Sequence, residues 1–147
     1  MTEIRPAWPV GARSHTMISN GHSVRLTTLG AGDDVVVCLH GLGGSALNFG
    51  SVAPLLAAER RVLLPDLLGH GRSASPTPGA GAVEAQLSMI DDVIVREAAE
   101  RPVVLVGHSM GGILAQLLPF GHRTRCRGWF SWTHRCPTSP AFAGTRG

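Results

Sequence analysis

Ser109 carries the hydroxyl whose neighbours are chosen and spaced for nucleophilic chemistry. It lies in VVLVGHSMGG, residues 103–112, with Gly107 and Gly111 two positions to either side. A serine attacks a carbonyl only if its oxygen stands clear of the backbone. A turn tight enough to present it between a strand and a helix strains residue 109 and leaves almost no room for side chains at 107 and 111. The helix behind such a turn offers a free N–H, here that of Met110, to an oxygen becoming negative. The bland alternative is a Gly-Ser turn with no chemistry. Bare G-x-S-x-G spacing arises by chance, but the combination with a strand before it and a helix after it does not.

A second constellation is His40-Gly41-Leu42-Gly43-Gly44, directly after the apolar run VVVCL. Gly41, Gly43 and Gly44 allow a ligand close to the backbone, and the N–H of Leu42 can serve as a second oxyanion donor. A phosphate loop would need G-x-G-x-x-G or G-K-[ST], and neither is present. His40 is expected to brace its loop rather than move protons. His108 fills a variable position of the turn, and His15 and His22 read as surface residues.

These residues need a scaffold of alternating strands and helices. Residues 1–16 read as an irregular, Pro-interrupted arm. Met17–Ser19 and His22–Thr28 read as strands around the hairpin signal Asn20-Gly21. Val35–His40 is a β-branched run that suits a central parallel strand. Ser45 can cap a helix that Pro54 breaks or restarts, and Val62–Pro65 is another strand. Val83, Leu87, Ile90, Ile94 and Ala98 form one stripe of an amphipathic helix ending before Pro102. Val103–Val106 and Met110–Leu118 complete the strand–turn–helix around Ser109. The alternation predicts an α/β fold with a mostly parallel sheet and flanking helices, its crevice at the carboxyl ends of the strands.

The chain has 147 residues, 44% hydrophobic and 16% charged, which suits one folded domain rather than a disordered segment. No apolar run approaches the ~20 residues of a spanning helix, and MTEIRPAWPV has no stretch of signal-peptide length. The expectation is a cytoplasmic protein with no membrane partner. Cys38 reads as a small buried hydrophobe. Cys126 and Cys136 lack metal-ligand spacing and carry only a weak disulfide signal, so no metal is expected.

HGLGG at 40–44, PDLLGHGRS at 65–73 and GHSMGG at 107–112 together resemble the α/β-hydrolase fold family, of the esterase and lactonase-like type. The resemblance covers roughly residues 17–118. It implies a serine hydrolase without cofactor, acting on an ester, lactone or similar carbonyl of a small-molecule substrate. By the resemblance Ser109 is the nucleophile, Leu42 and Met110 form the oxyanion hole, and His40, Gly41, Gly43, Gly44, Gly107, His108 and Gly111 support them. Asp66, His70 and Arg72 belong to a loop that shapes the pocket and read as structural.

The pattern then breaks. The family's acid and histidine follow the nucleophile in the chain, yet no Asp or Glu follows Glu100, and only His122 and His134 follow Ser109. The chain as written is therefore expected to turn over little or nothing. A non-catalytic binding remnant or pseudogene product is one rival reading. A cofactor-free lyase or haloperoxidase use of the fold is another. The strand bearing Ser109 is expected to have an uncovered edge, a hazard for folding.

Residues 119–147 differ from the body. They hold five Arg and no acid, whereas residues 1–118 hold eight Arg and ten acids, so the net +3 comes from the tail. All 13 basic residues are Arg, with no Lys and no Tyr, as a GC-rich gene would give. When GC-rich codons are assigned to Phe120–Pro137 and the frame is stepped back one nucleotide, one permitted choice of codons reads VRAPDTVPGLVLLDPPVP, similar to the family's next loop and strand. The tail thus reads as frameshifted or disordered. A basic arm in which Arg123, Arg125 and Arg127 act with Trp129 and Trp132 on nucleic acid is the alternative, and no nucleic-acid partner is expected.

Overall fold

The computed structural model describes residues 8–79, 81–118 and, as backbone, 126–131. The chain order is β1 (Arg13–Ser19), β2 (His22–Leu29), β3 (Val35–Leu39), a 3-10 turn (Ala46–Phe49), α1 (Ala53–Leu56), β4 (Arg61–Pro65), α2 (Ala82–Ala98), β5 (Val103–Gly107), α3 (Met110–Leu117) and β6 (Cys126–Ser131). The strands form one sheet in the order β1-β2-β4-β3-β5-β6. β3 runs parallel to β4 and β5, and β5 parallel to β6, while β2 is antiparallel to both β1 and β4. This is the α/β architecture with a mostly parallel sheet.

Alternation along each strand divides the interior in two. Val35, Val37 and Leu39 of β3 join Val103 and Leu105 of β5 under α2 and α3. Val36 and Cys38 point the other way and meet Val62 and Leu64 of β4 with Phe49 and Ala53. All five β3 residues are buried, which is why this strand is apolar without interruption. Burial also pushes the Cys38 thiol up to about 12, so it is inert at neutral pH.

Local signals explain the connections. Asn20 and Gly21 take positive φ, 48° and 81°, in a two-residue turn that pairs Ser19 with His22. Ser45 caps the 3-10 turn, and Asn48 returns a bond to the Ser45 N–H, a reciprocal cap. Pro54 lies in the first turn of α1, so the expected long helix is two short pieces.

Three expectations need correction. β1 begins at Arg13, inside the stretch read as irregular. In α2 the buried face comprises Gln86, Met89, Ile90, Val93, Ile94 and Ala98, while Val83 is exposed and Leu87 half-buried. β5 does not end the sheet, because the backbone of Cys126–Ser131, within the atypical tail, pairs with it over Val103–Gly107. Among the described residues the outer strands are β1 and β6.

Candidate active site

Three loops leave the carboxyl ends of adjacent parallel strands: His40 follows β3, Asp66 follows β4 and His108 follows β5. The order β4-β3-β5 places the glycine loop between the other two. The topology therefore gathers at one sheet edge three motifs scattered over the chain, as expected for a crevice in a sheet of this kind.

Ser109 stands at the junction of β5 and α3 with φ 53° and ψ −118°. A side chain at such angles is strained, and non-glycine residues hold them only where the surroundings force it. Here the surroundings do. A Cβ on Gly107 would sit 2.5 Å from Gly112 Cα, and one on Gly111 would collide with the Leu39 carbonyl. The His108 N–H donates to the Leu39 carbonyl at 3.0 Å, and the Gly111 N–H to the His108 carbonyl at 3.0 Å. Strand, turn and helix are thus locked against the end of β3.

The glycine loop lies directly on this turn. A Cβ on Gly41 would stand 3.1 Å from Ser109 Cβ and 3.0 Å from His108 Nδ1. Ser109 is half-buried, Leu42 is 78% exposed, and Met110 is half-buried against the α2 and α3 core. The N–H groups of Leu42 and Met110 donate to no protein acceptor among the described residues. Gly43 takes φ 74°, and it borders with Gly44, Ser45, Leu47, Asn48 and Gly71 an open depression of about 460 Å³.

The supporting residues form a chain of bonds between loops. His40 is fully buried. Its Nδ1 lies 2.8 Å from the Gly41 carbonyl, and its Nε2 accepts the Leu67 N–H at 2.9 Å. Asp66 is buried and accepts from the Ala46 N–H at 2.8 Å and the Arg72 N–H at 2.9 Å. The Ser73 hydroxyl donates to the Asp66 carbonyl at 2.6 Å. Asp66 thus ties its own loop to the turn after the glycines. His70 packs edge-on to His40, with ring centroids 5.3 Å apart. Away from the crevice, His15 approaches Glu97 at 3.8 Å and His22 lies 3.1 Å from Thr77.

One residue escaped the sequence reading. Gln86, on the buried face of α2, accepts the Leu68 N–H at 2.9 Å and donates to the Leu68 carbonyl at 2.8 Å. It clips the loop after β4 to the helix at the residue next to Leu67. Its only trace in the sequence is a polar side chain one position from the apolar stripe. Gln86→Leu leaves the buried Leu68 N–H without its partner, while the Leu68 carbonyl keeps His70 Nδ1 at 3.0 Å, and is expected to cost about 1–3 kcal/mol, read as a lower urea midpoint. An unchanged midpoint would show that the clip contributes nothing.

Burial holds the His40 pKa below its ordinary 6.5. The Gly41 bond and the Asp66 charge oppose that shift, and the His70 charge adds to it. The unfolded chain protonates at the ordinary value, so just below it the unfolded state binds the extra proton. The stability from neutral His40 is thus complete above about pH 6.5 and declines as pH falls through the window beneath it. Urea midpoints measured between pH 5 and 8 should drop on the acid side, and His40→Gln should remove that component. A drop of the same size in the variant would contradict the assignment.

His122 and His134, the two histidines after Ser109, lie outside the described residues, as do Arg123, Arg125 and Trp132 of the suggested basic arm. Among the described residues no helix is long and apolar enough to cross a membrane.

Known proteins resemble this chain in sequence and fold. The chain is similar to the pimeloyl-[acyl-carrier protein] methyl ester esterase of Edwardsiella ictaluri, 37% identical over 101 residues, 69% of this chain and 36% of that protein. Among solved structures it resembles a thioesterase domain from the curacin biosynthetic pathway, with a TM-score of 0.72, 33% identity, and coverage of 80% of this chain and 43% of that one. The Cif epoxide hydrolase from Acinetobacter nosocomialis shares the fold, with a TM-score of 0.78 at 20% identity over 85% of this chain and 39% of that one. The chain thus spans about two fifths of the length of such proteins. The model of the alpha/beta hydrolase family matches residues 36–141, which includes the glycine loop, the Ser109 turn and β6, and the chain belongs to that family.

Proposed function

We propose that Ser109 is the nucleophile of a hydrolase acting on an ester, lactone or similar carbonyl of a small molecule. Its Oγ bonds to the carbonyl carbon, and the N–H groups of Leu42 and Met110 stabilise the oxygen that becomes negative. The C–O bond to the alkoxide then breaks, and the Ser109 proton, passed through solvent, ends on that oxygen, which departs as the alcohol or, in a lactone, stays on the opened chain. The acyl group left on Ser109 is removed by water as the acid. The observation that carries this reading is the strained backbone of Ser109 at the start of α3, with the Gly41 backbone against its side chain. Strain of that kind is maintained where presentation of a side chain repays it.

Ser109 Oγ has no imidazole or carboxylate hydrogen-bonded to it among the described residues. This favours a second reading, in which the chain retains the site for recognition without turnover. Hydrolysis of a p-nitrophenyl ester decides between them. Without a general base, the oxyanion donors and binding still leave about 10³–10⁴-fold acceleration over water. The expected rate falls in that range or below, and part of it survives Ser109→Ala because the oxyanion donors remain. The acyl adduct on the chain, read by mass, should vanish in Ser109→Ala, and acylation that survives the substitution would refute the nucleophile. Acceleration well above that range would show that a base is present after all. No Ser109-dependent hydrolysis and no adduct with a serine-reactive phosphonate would establish the binding reading.

A further inference from the structure

The two ring nitrogens of His40 face groups that can each play one part only. The Gly41 carbonyl can only accept, and the Leu67 N–H can only donate. The buried ring is therefore an Nδ1–H imidazole with a bare Nε2. The carbonyl it holds belongs to the peptide joining Gly41 to Leu42, the peptide whose other end is the Leu42 N–H. In a trans peptide the C=O and N–H point in opposite directions across one rigid plane, and no described peptide is cis. A carbonyl fixed toward the buried imidazole thus turns the Leu42 N–H away from the core.

Fixing that plane matters because glycine precedes it. Gly41 has no Cβ to resist rotation of the following peptide, and its neighbours at Ser109 and His108 leave no space for one. The loop must be bare to approach the turn, and being bare it needs an external hold. The Gly44 N–H gives part of that hold at 3.1 Å. His40 gives the shorter bond, 2.8 Å, from a ring itself anchored through Leu67 to the loop that Gln86 clips to α2. The titratable groups that act on the ring are His70, edge-on at 5.3 Å, and Asp66.

We propose that His40 is a positioning residue that orients the Leu42 N–H by holding the Gly41 carbonyl through its Nδ1–H. The proposal rests on the reading of Leu42 as an oxyanion donor, and its test separates the two. Two substitutions divide the bonds of the ring: His40→Asn retains a donor near the Nδ1 position, and His40→Gln retains an acceptor near the Nε2 position.

Long-range 1H–15N spectra of the labelled wild-type chain at pH 7.5 should show His40 protonated at Nδ1 alone. The Leu42 amide 15N resonance should keep its position in His40→Asn and move in His40→Gln. Ser109-dependent release of p-nitrophenol should fall about tenfold or more in His40→Gln, carried by kcat with KM unchanged, and by less than about threefold in His40→Asn. A ring protonated at Nε2 in the wild-type chain would overturn the proposal even if neither variant folds. So would equal displacement of the Leu42 resonance, or equal loss of rate, in the two variants. If the wild-type chain shows neither Ser109-dependent release of p-nitrophenol nor an adduct with the phosphonate, the proposed function fails, while the tautomer and the Leu42 resonance still decide the role of His40.

Discussion

Replacing Gly111 with alanine is expected to destabilise the fold by more than about 4 kcal/mol, against a total of about 5–15 for a domain of ordinary stability. The added methyl would be driven into the carbonyl of Leu39, with the His40 carbonyl also close by. Neither atom can yield easily. Leu39 is the last residue of a fully buried strand, bonded in register to β4 on one side and to β5 on the other. The carbonyl also accepts the His108 N–H that closes the turn. The clash thus moves α3 away from the sheet and with it the junction that presents Ser109. Urea unfolding should show a much lower midpoint with an unchanged slope. A loss below about 1 kcal/mol would mean that α3 does not lie as closely on β3 as described.

The sequence revealed most where a local rule and a buried environment agree. β3 was legible because burial on both faces requires an unbroken apolar run, and Ser109 because its turn tolerates only glycine at 107 and 111. The connection at Asn20-Gly21 was legible because positive φ at two successive residues has a known residue preference. The reading failed where the partner is backbone. Gln86 is buried because its amide matches both polar groups of Leu68, and hydropathy has no mark for that. The stripe begun at Val83 missed because the first turn of α2 stays exposed, so the contact face is set by Met89 and Val93 further along. β6 was missed for a related reason. Residues 126–131 have no strand periodicity, but the open N–H and C=O groups of β5 can pair with any backbone that lies alongside. At those positions one permitted choice of codons, read in the shifted frame, gives VPGLVL, the pattern of a buried strand. Reading the gene in all frames therefore bears directly on the proposal that the tail is frameshifted.

A thiol in place of the Ser109 hydroxyl is expected to ionise more readily than an ordinary cysteine. It would occupy the start of α3, where free N–H groups and the helix dipole favour a negative atom, the interaction proposed to stabilise the oxyanion. A thiolate also needs no general base, so Ser109→Cys examines the site independently of any acid and histidine. Cys38 is fully buried, its thiol pushed up to about 12, and will not compete. Replacing Cys126 and Cys136 with serine leaves the new thiol as the only reactive one. The test is the pH dependence of its alkylation by iodoacetamide in the folded chain. The account predicts prompt reaction with a midpoint below the ordinary value of about 8.5, giving about tenfold more thiolate at neutral pH than in the unfolded chain if the shift is one unit. A thiol that titrates at or above about 8.5, or one that reacts only after unfolding, would contradict it.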